Sequence, residues 1–347
     1  MTFVHTVATK LPTYRYTTSE IVKAASGWLK STPEEQALFE RLSSATLIEN
    51  RAFAIPLEEI LSLNGTATRA SIFQEVGPTL LHDVMAQALE DTALHPSDVQ
   101  GLVFTSCSVP SIPAIDVPAI HSLRLSPSIL RVPIFQHGCA GGAVGLAFAD
   151  RVSTPQGITL LASVELCSLV YQSKNVSGGN LVGSAIFGDG AACAVLSQTH
   201  GPLEVLATQS YLIPNSYNLM GYDILDDGTH LRLDREVPQC LATTAPDTIH
   251  SFLARHSLTA KEIAWWIFHP GGAKILSTLE NSLRLSRAQT RWGWETLRDN
   301  GNMSSASVLF ALSAFLRDKP YKTGDKLLML GVGPGLTLQL NLFECHA

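Results

Sequence analysis

Apolar positions along the chain change period from one stretch to the next, and the changes outline its elements. The first 90 residues read as largely helical. Thr18-Ser19-Glu20 opens one helix and Thr32-Pro33-Glu34-Glu35 another. Thr32 suits an N-cap, Pro33 the first helical position, and Glu35 completes a capping box. Gln74 to Thr92 carries apolar residues at helical spacing. From Val99 to Ser106 the pattern becomes a short, nearly continuous apolar run, which predicts a buried strand. Next, His137-Gly138-Cys139 opens a helix of small residues over Ala140 to Asp150, and a strand over Gly157 to Val164 follows.

The second half repeats this order. Ile263 to Phe268 reads as a strand, and Asn300-Gly301-Asn302 opens a helix over Met303 to Leu316. Strands over Lys326 to Gly331 and Leu336 to Phe343 close the chain. Apolar strands alternating with helices imply sheets buried on both faces, with largely parallel pairing. Two such halves facing one another give an α/β fold of five layers, α/β/α/β/α, with residues 1–200 forming one half and 201–347 the other. Small residues along both central helices, Ala140 to Gly145 and Ser304 to Ser307, suit helices held between sheets. No Gly/Ser-rich linker separates the halves, so they are expected to pack intimately.

With 347 residues, 46% of them hydrophobic, the chain has enough apolar material for a large core. A formal net charge of -6 argues against a nucleic-acid-binding protein. The apolar stretches fall short of the roughly 20 residues of a membrane span. The N-terminus lacks a signal-peptide pattern. Six scattered cysteines without a Cys-x-x-Cys pair read as reduced thiols, so a cytoplasmic protein is expected, with no membrane association.

Among those thiols, Cys139 stands apart. It lies at the start of a helix, where unpaired N–H groups and the helix dipole would lower a thiol's pKa. Gly138 permits a sharp turn, and Ala140-Gly141-Gly142 permits close approach of an acyl group. Cys107, Cys167, Cys193 and Cys345 read as inert core thiols. His269, followed by Pro270-Gly271-Gly272, ends a strand at the sheet edge where α/β sites gather. Asn302 opens the second buried helix, as an N-cap or with its amide directed toward the Cys139 sulfur. Gly331 to Gly335 is a glycine-rich strand exit with no helix after it, so it is no dinucleotide fingerprint.

Five strings occur in order: Gly138-Cys139-Ala140-Gly141-Gly142, Phe187-Gly188-Asp189-Gly190-Ala191-Ala192, His269-Pro270-Gly271-Gly272, Gly301 to Ser307, and Gly331-Val332-Gly333-Pro334-Gly335. Together they resemble the signature of type III polyketide synthases of the chalcone synthase kind, with ketoacyl synthases III as nearer cousins than the thiolases. The resemblance spans essentially the whole chain and implies a duplicated thiolase-like fold and an acyltransferase with a Cys–His–Asn site. In it Cys139 would carry the acyl group, and His269 and Asn302 would donate to the carbonyl of the second thioester. Donors preset where charge develops are typically worth about 3 kcal/mol each. The resemblance further implies substrate contacts at Phe187, Leu231, Ser304, Gly331, Gly333, Pro334 and Arg41. Substrates would arrive as thioesters of coenzyme A or phosphopantetheine, with no metal or redox cofactor, and the protein would be a homodimer.

Three departures from the pattern bear on the substrate. Leu231 stands where the family has a second gatekeeper phenylalanine beside Phe187, which suits aliphatic acyl groups. Leu38, Arg41 and Ala45 stand where plant members hold three cations for the phosphates of coenzyme A, so only Arg41 remains. An acyl carrier protein becomes an alternative donor. Ile112 occupies the place of a glutamate base used by relatives that join two acyl chains. The expected reaction is coupling of two carrier-protein-bound β-ketoacyl chains into an α-pyrone, as in antibiotic biosynthesis by stand-alone bacterial ketosynthases, with iterative malonyl extension or initiation of fatty-acid synthesis as the alternatives. Two other classes compete. Papain-type proteases share the order Cys, His, Asn but lack the repeat, and non-catalytic partners on this fold usually lose the cysteine retained here.

Overall fold

In a computed structural model of the protein, residues 1–25, 32–172, 175 and 177–347 are described. Thirteen strands occur among them: β1 Thr2–Lys10, β2 Tyr14–Thr17, β3 Asn50–Phe53, β4 Val99–Thr105, β5 Leu130–Ile134, β6 Ile158–Leu166, β7 Asp189–Ser197, β8 Leu203–Leu212, β9 Met220–Leu225, β10 Gly228–Leu233, β11 Ile263–Phe268, β12 Lys326–Gly333 and β13 Thr337–Cys345. Nine form one sheet in the order β11-β12-β13-β8-β1-β7-β6-β4-β5. The sheet has two halves, β5-β4-β6-β7-β1 and β8-β13-β12-β11. They meet where three residue pairs, Thr2 with Val205, Phe3 with Glu204 and Val4 with Leu203, join β1 to β8.

Alternate residues of the strands enter different cores, as a sheet buried on both faces requires. On β4, Leu102 and Phe104 pack outward with Phe73, Leu81 and Met85 of the long helix Thr66–Asp91. Val103 points inward, toward Leu146 and Leu309. On β11, Ile267 joins that inner core, whereas Trp266 and Phe268 face Phe252 of the helix Val237–Arg255 and Leu276 of the helix Ala273–Leu283. The inner core surrounds two central helices, Gly141–Val152 and Ser307–Asp318. Five layers result, as the sequence pattern implies. The central helices touch because small residues line them. A Cβ on Gly142 would meet the Ser305 carbonyl oxygen at 2.2 Å.

One expectation holds with an addition, and one needs correction. The first 90 residues are largely helical, with the helices Thr18–Ala25, Pro33–Ala45 and Leu57–Ser62 and most of Thr66–Asp91, but β1, β2 and β3 lie there as well, and β1 is the strand through which the halves of the sheet join. Its Thr-Phe-Val-His-Thr-Val-Ala sequence is β-branched and favours a strand. The pairing is mixed rather than largely parallel. Within the nine-stranded sheet of the described residues only β4–β5, β4–β6 and β11–β12 run parallel, because β1, β7, β8 and β13 enter antiparallel to their neighbours. The helix starts hold up better. Thr32 and Glu35 form the expected capping box on the helix Pro33–Ala45. The helix at Thr18 begins behind Thr17, whose backbone N–H donates to Glu20 Oε2 at 2.7 Å.

Candidate active site

Cys139 occupies a single 3-10 turn, Gly138–Ala140, immediately before the first central helix. Gly138 has φ +51°, and a Cβ there would strike the Pro334 ring at 2.6 Å. His269 follows the last residue of β11, and its backbone N–H donates to the Leu330 carbonyl at 2.9 Å. Asn302 is fixed through its backbone. Its N–H donates to Ile186 at 2.7 Å, and its carbonyl accepts from Gly188 N–H at 3.0 Å. The Phe187-Gly188-Asp189 string therefore holds the Asn302 loop. The buried Asp189 carboxylate accepts from Ala54 N–H at 2.8 Å and Ser168 N–H at 2.7 Å, and burial pushes its pKa up to about 6.

Cys139, His269 and Asn302 line one cavity of about 530 Å³, together with Phe187, Leu231, Tyr222 and Pro334. Its remaining lining is mostly apolar and includes Val182, Ile186, Met220 and Val332. Asn302 Nδ2 donates to the Gly271 carbonyl at 3.3 Å, and its Oδ1 accepts from Ser304 N–H at 2.8 Å. Ser304 sits at φ +47°, which brings its hydroxyl between two thiols: it donates to Cys139 Sγ at 3.5 Å and lies 3.0 Å from Cys107 Sγ. Both ring nitrogens of His269, a residue only 2% exposed, have no hydrogen-bond partner among the described residues.

The electrostatics correct one expectation. Burial pushes the Cys139 thiol up to about 11, although hydrogen bonds from Ser304 and Asn302 act the other way. The position at a helix start does not outweigh desolvation. Burial also holds His269 down to about 3. Each group, taken alone, thus favours its neutral form in the resting cavity.

Some expected substrate contacts lie elsewhere. Arg41 is exposed and outside the cavity lining, whereas Leu42, Ala45 and Thr46 of the same wall belong to it. Gly331 and Gly333 also lie outside the lining, and packing accounts for them. A Cβ on Gly331 would meet Ala143 Cβ at 2.5 Å, and one on Gly333 the His137 carbonyl at 2.5 Å. Two features went unread in the sequence. Glu165, wholly buried on β6, accepts from the N–H groups of Cys107 and Ser108 at 3.0 Å and of Ser305 at 3.3 Å, and from the Ser305 hydroxyl. A carboxylate inside an apolar strand was the available signal. Tyr222 carries no such signal; burial among Cys107, Cys139 and Cys167 pushes its pKa well up.

The five-layer fold and its thiol-bearing cavity define a class: condensing acyltransferases of the thiolase fold. The chain belongs to the chalcone and stilbene synthase family, matching the N-terminal domain of that family over residues 16–199 and the C-terminal domain over 204–345. It is 32% identical to a 1,3,6,8-tetrahydroxynaphthalene synthase of Streptomyces peucetius subsp. caesius, covering 99% of this chain and 93% of that one. It is 29% identical to a putative chalcone synthase of Bacillus subtilis, covering 99% of each. The crystal structure of the tetrahydroxynaphthalene synthase of Streptomyces coelicolor, a bacterial type III polyketide synthase, superposes with a TM-score of 0.95 at 27% identity, covering 99% of each chain. No helix among the described residues is long and apolar enough to cross a membrane.

Proposed function

We propose that the protein extends an acyl group held on Cys139 by repeated Claisen condensation with malonyl thioesters, and that the product cyclises in the cavity. The reading rests chiefly on one observation: Cys139, His269 and Asn302, brought by separate elements, line the same apolar cavity. As the Cys139 sulfur attacks an acyl thioester, its proton passes to His269, whose ring nitrogens are unpartnered. The carrier thiol leaves with that proton. A malonyl thioester then loses carbon dioxide, and His269 and Asn302 donate to the oxygen of the enolate so formed. The enolate carbon attacks the acyl-Cys139 carbonyl, and the thiolate departs. In this scheme residues 1–200 supply the nucleophile and 201–347 the two donors.

Decarboxylation generates the enolate without a base, which suits this cavity. The only carboxylate among its described lining residues is Asp234, which is exposed, and Ile112 is 99% exposed. Joining two β-ketoacyl chains into an α-pyrone is the second reading. The aliphatic Leu231 in the lining and the absence of cations at Leu38 and Ala45 favour it. Intact-protein mass spectrometry after incubation with acyl thioesters should show an adduct on the wild type that is missing from Cys139→Ala. An unmodified wild type with every donor would remove the nucleophile from the scheme. Malonyl thioester alone should then support product formation. Product only from paired β-ketoacyl thioesters would favour pyrone coupling instead. The same preparation in analytical ultracentrifugation tests for a homodimer.

A further inference from the structure

The outer face of the sheet carries a polar row where its halves join. Leu203, Val205, Leu327, Phe343 and Cys345 belong to the inner core, so their neighbours Glu204, Lys326 and Glu344 point the other way. Strand register aligns Lys326 of β12 with Glu344 of β13, Glu344 with Glu204 of β8, and Glu204 with Phe3 of β1. Two carboxylates thus stand directly opposite each other on adjacent strands, which costs stability unless a cation lies between them. Among the described residues Lys326 pairs with one of them: its Nζ donates to Glu344 Oε2 and to the Gly324 carbonyl. That contact holds the Glu344 carboxyl below its ordinary range, so it is ionised.

His346, just beyond the end of β13, supplies an imidazole. Its backbone N–H donates to the Pro202 carbonyl at 2.9 Å, and its ring lies against Phe3 and His200, with centroids 5.7 and 4.9 Å away. Held so, its Nε2 comes 3.1 Å from Glu204 Oε2. One ligand atom from each of Glu204, Glu344 and His346 lies within 4.8 Å of the others. Around a tetrahedral zinc ion such atoms sit about 3.4 Å apart, so shifts of about 1 Å would close the set. Glu344 can ligate through Oε1 while Oε2 keeps Lys326. All three side chains are half-buried, and none lines the cavity of Cys139.

We infer that Glu204, Glu344 and His346 form a site for zinc or a similar divalent first-row ion, which braces the outer face of the sheet beside the join of its halves. One imidazole with two carboxylates suits such an ion better than calcium or magnesium, which take oxygen ligands. Phe3 and His200 fix the imidazole by packing, the part that groups outside a ligand set normally play. Water takes the fourth position. The ion ties β13 to β8 and, through Phe3, bears on β1. Nothing in the site depends on the chemistry at Cys139.

Cobalt(II) serves as a coloured stand-in for zinc, and the full chain, first stripped with a chelator, is titrated with it. About one equivalent should give the d–d absorption of a four-coordinate site, without the charge-transfer band of a thiolate ligand. Zinc should abolish that absorption, whereas excess calcium or magnesium should leave it in place. Glu204→Gln, Glu344→Gln and His346→Ala should each weaken binding about 100-fold, since changes even outside a ligand set typically cost about 10- to 100-fold. Lys326→Met frees Glu344 of its competing cation and should tighten binding severalfold, which keeps the test decisive where a ligand variant fails to fold. Absent d–d absorption, a thiolate band, displacement by calcium or magnesium, or wild-type affinity in Glu204→Gln and His346→Ala overturns the inference. So does unchanged or weaker binding in Lys326→Met.

Discussion

A buried imidazole with two unpartnered nitrogens is costly to keep, and more costly to protonate. His269 is such a group, held down to about 3 from an ordinary value of 6.5. Between those values the unfolded chain binds a proton that the folded chain refuses, so His269 makes stability fall as pH drops from 6.5 toward 3. Urea unfolding of the wild type against His269→Asn should show a shallower acid loss in the variant. Parallel curves would mean that the imidazole is solvated. Cys139 acts at the other end of the scale. Its thiol stays protonated up to about 11, against 9.0 unfolded, so stability falls as pH rises through that window. This depth of burial is invisible in the string Gly138 to Gly142. The sequence shows a helix start and its dipole; the strength of desolvation depends on Leu231, Val332 and other side chains distant in sequence. Gly333 offers a second residue-scale test. Adding a methyl places it 2.6 Å from Ala140 N, so Gly333→Ala should cost about 1–3 kcal/mol and shift the turn that carries Cys139. Thermal unfolding and acyl loading measure both effects.

Among the elements, Glu165 has the widest reach. From β6 it gathers N–H groups at the end of β4 and at the start of the second central helix, and so joins three elements beside the Ser304 hydroxyl. Glu165→Gln keeps the volume but replaces an acceptor oxygen with a donor facing other donors. It should destabilise the protein by about 2–3 kcal/mol and slow acyl loading through a displaced Ser304. A loss of stability with unchanged loading would confine Glu165 to the scaffold. Element positions were legible wherever a run was continuously apolar. The Ile263–Phe268 strand was read to its boundaries, and Val99–Thr105 to within one residue. Strand β1 was missed because Thr6, Thr9 and His5 break up its apolar run. Mixed pairing was missed for another reason. Alternation of strand and helix constrains β4, β5 and β6, but β1 finds its partners β7 and β8 from far along the chain.

At the scale of the whole molecule, β1 is the hinge-pin of the sheet. Removing residues 1–10 would uncover an edge of the buried, largely apolar β7 and the start of β8, leaving both unprotected against pairing with other chains. Such a truncation should lose cooperative unfolding in calorimetry and aggregate, whereas a loss confined to β1 would show that each half stands alone. The two-half plan was legible because glycine and serine must recur wherever the central helices press together, and that requirement leaves a trace in sequence. The join between the halves leaves none. Within the sheet three residue pairs close it, at Thr2, Phe3 and Val4. Yet the thiol belongs to one side of that join, and the imidazole and amide to the other. The cavity is therefore a caliper whose jaws are the two halves. Any change in how they seat is read out as a gap between sulfur and imidazole. Substitutions at Phe3 or Glu204, remote from any substrate, should register in condensation before they register in secondary structure.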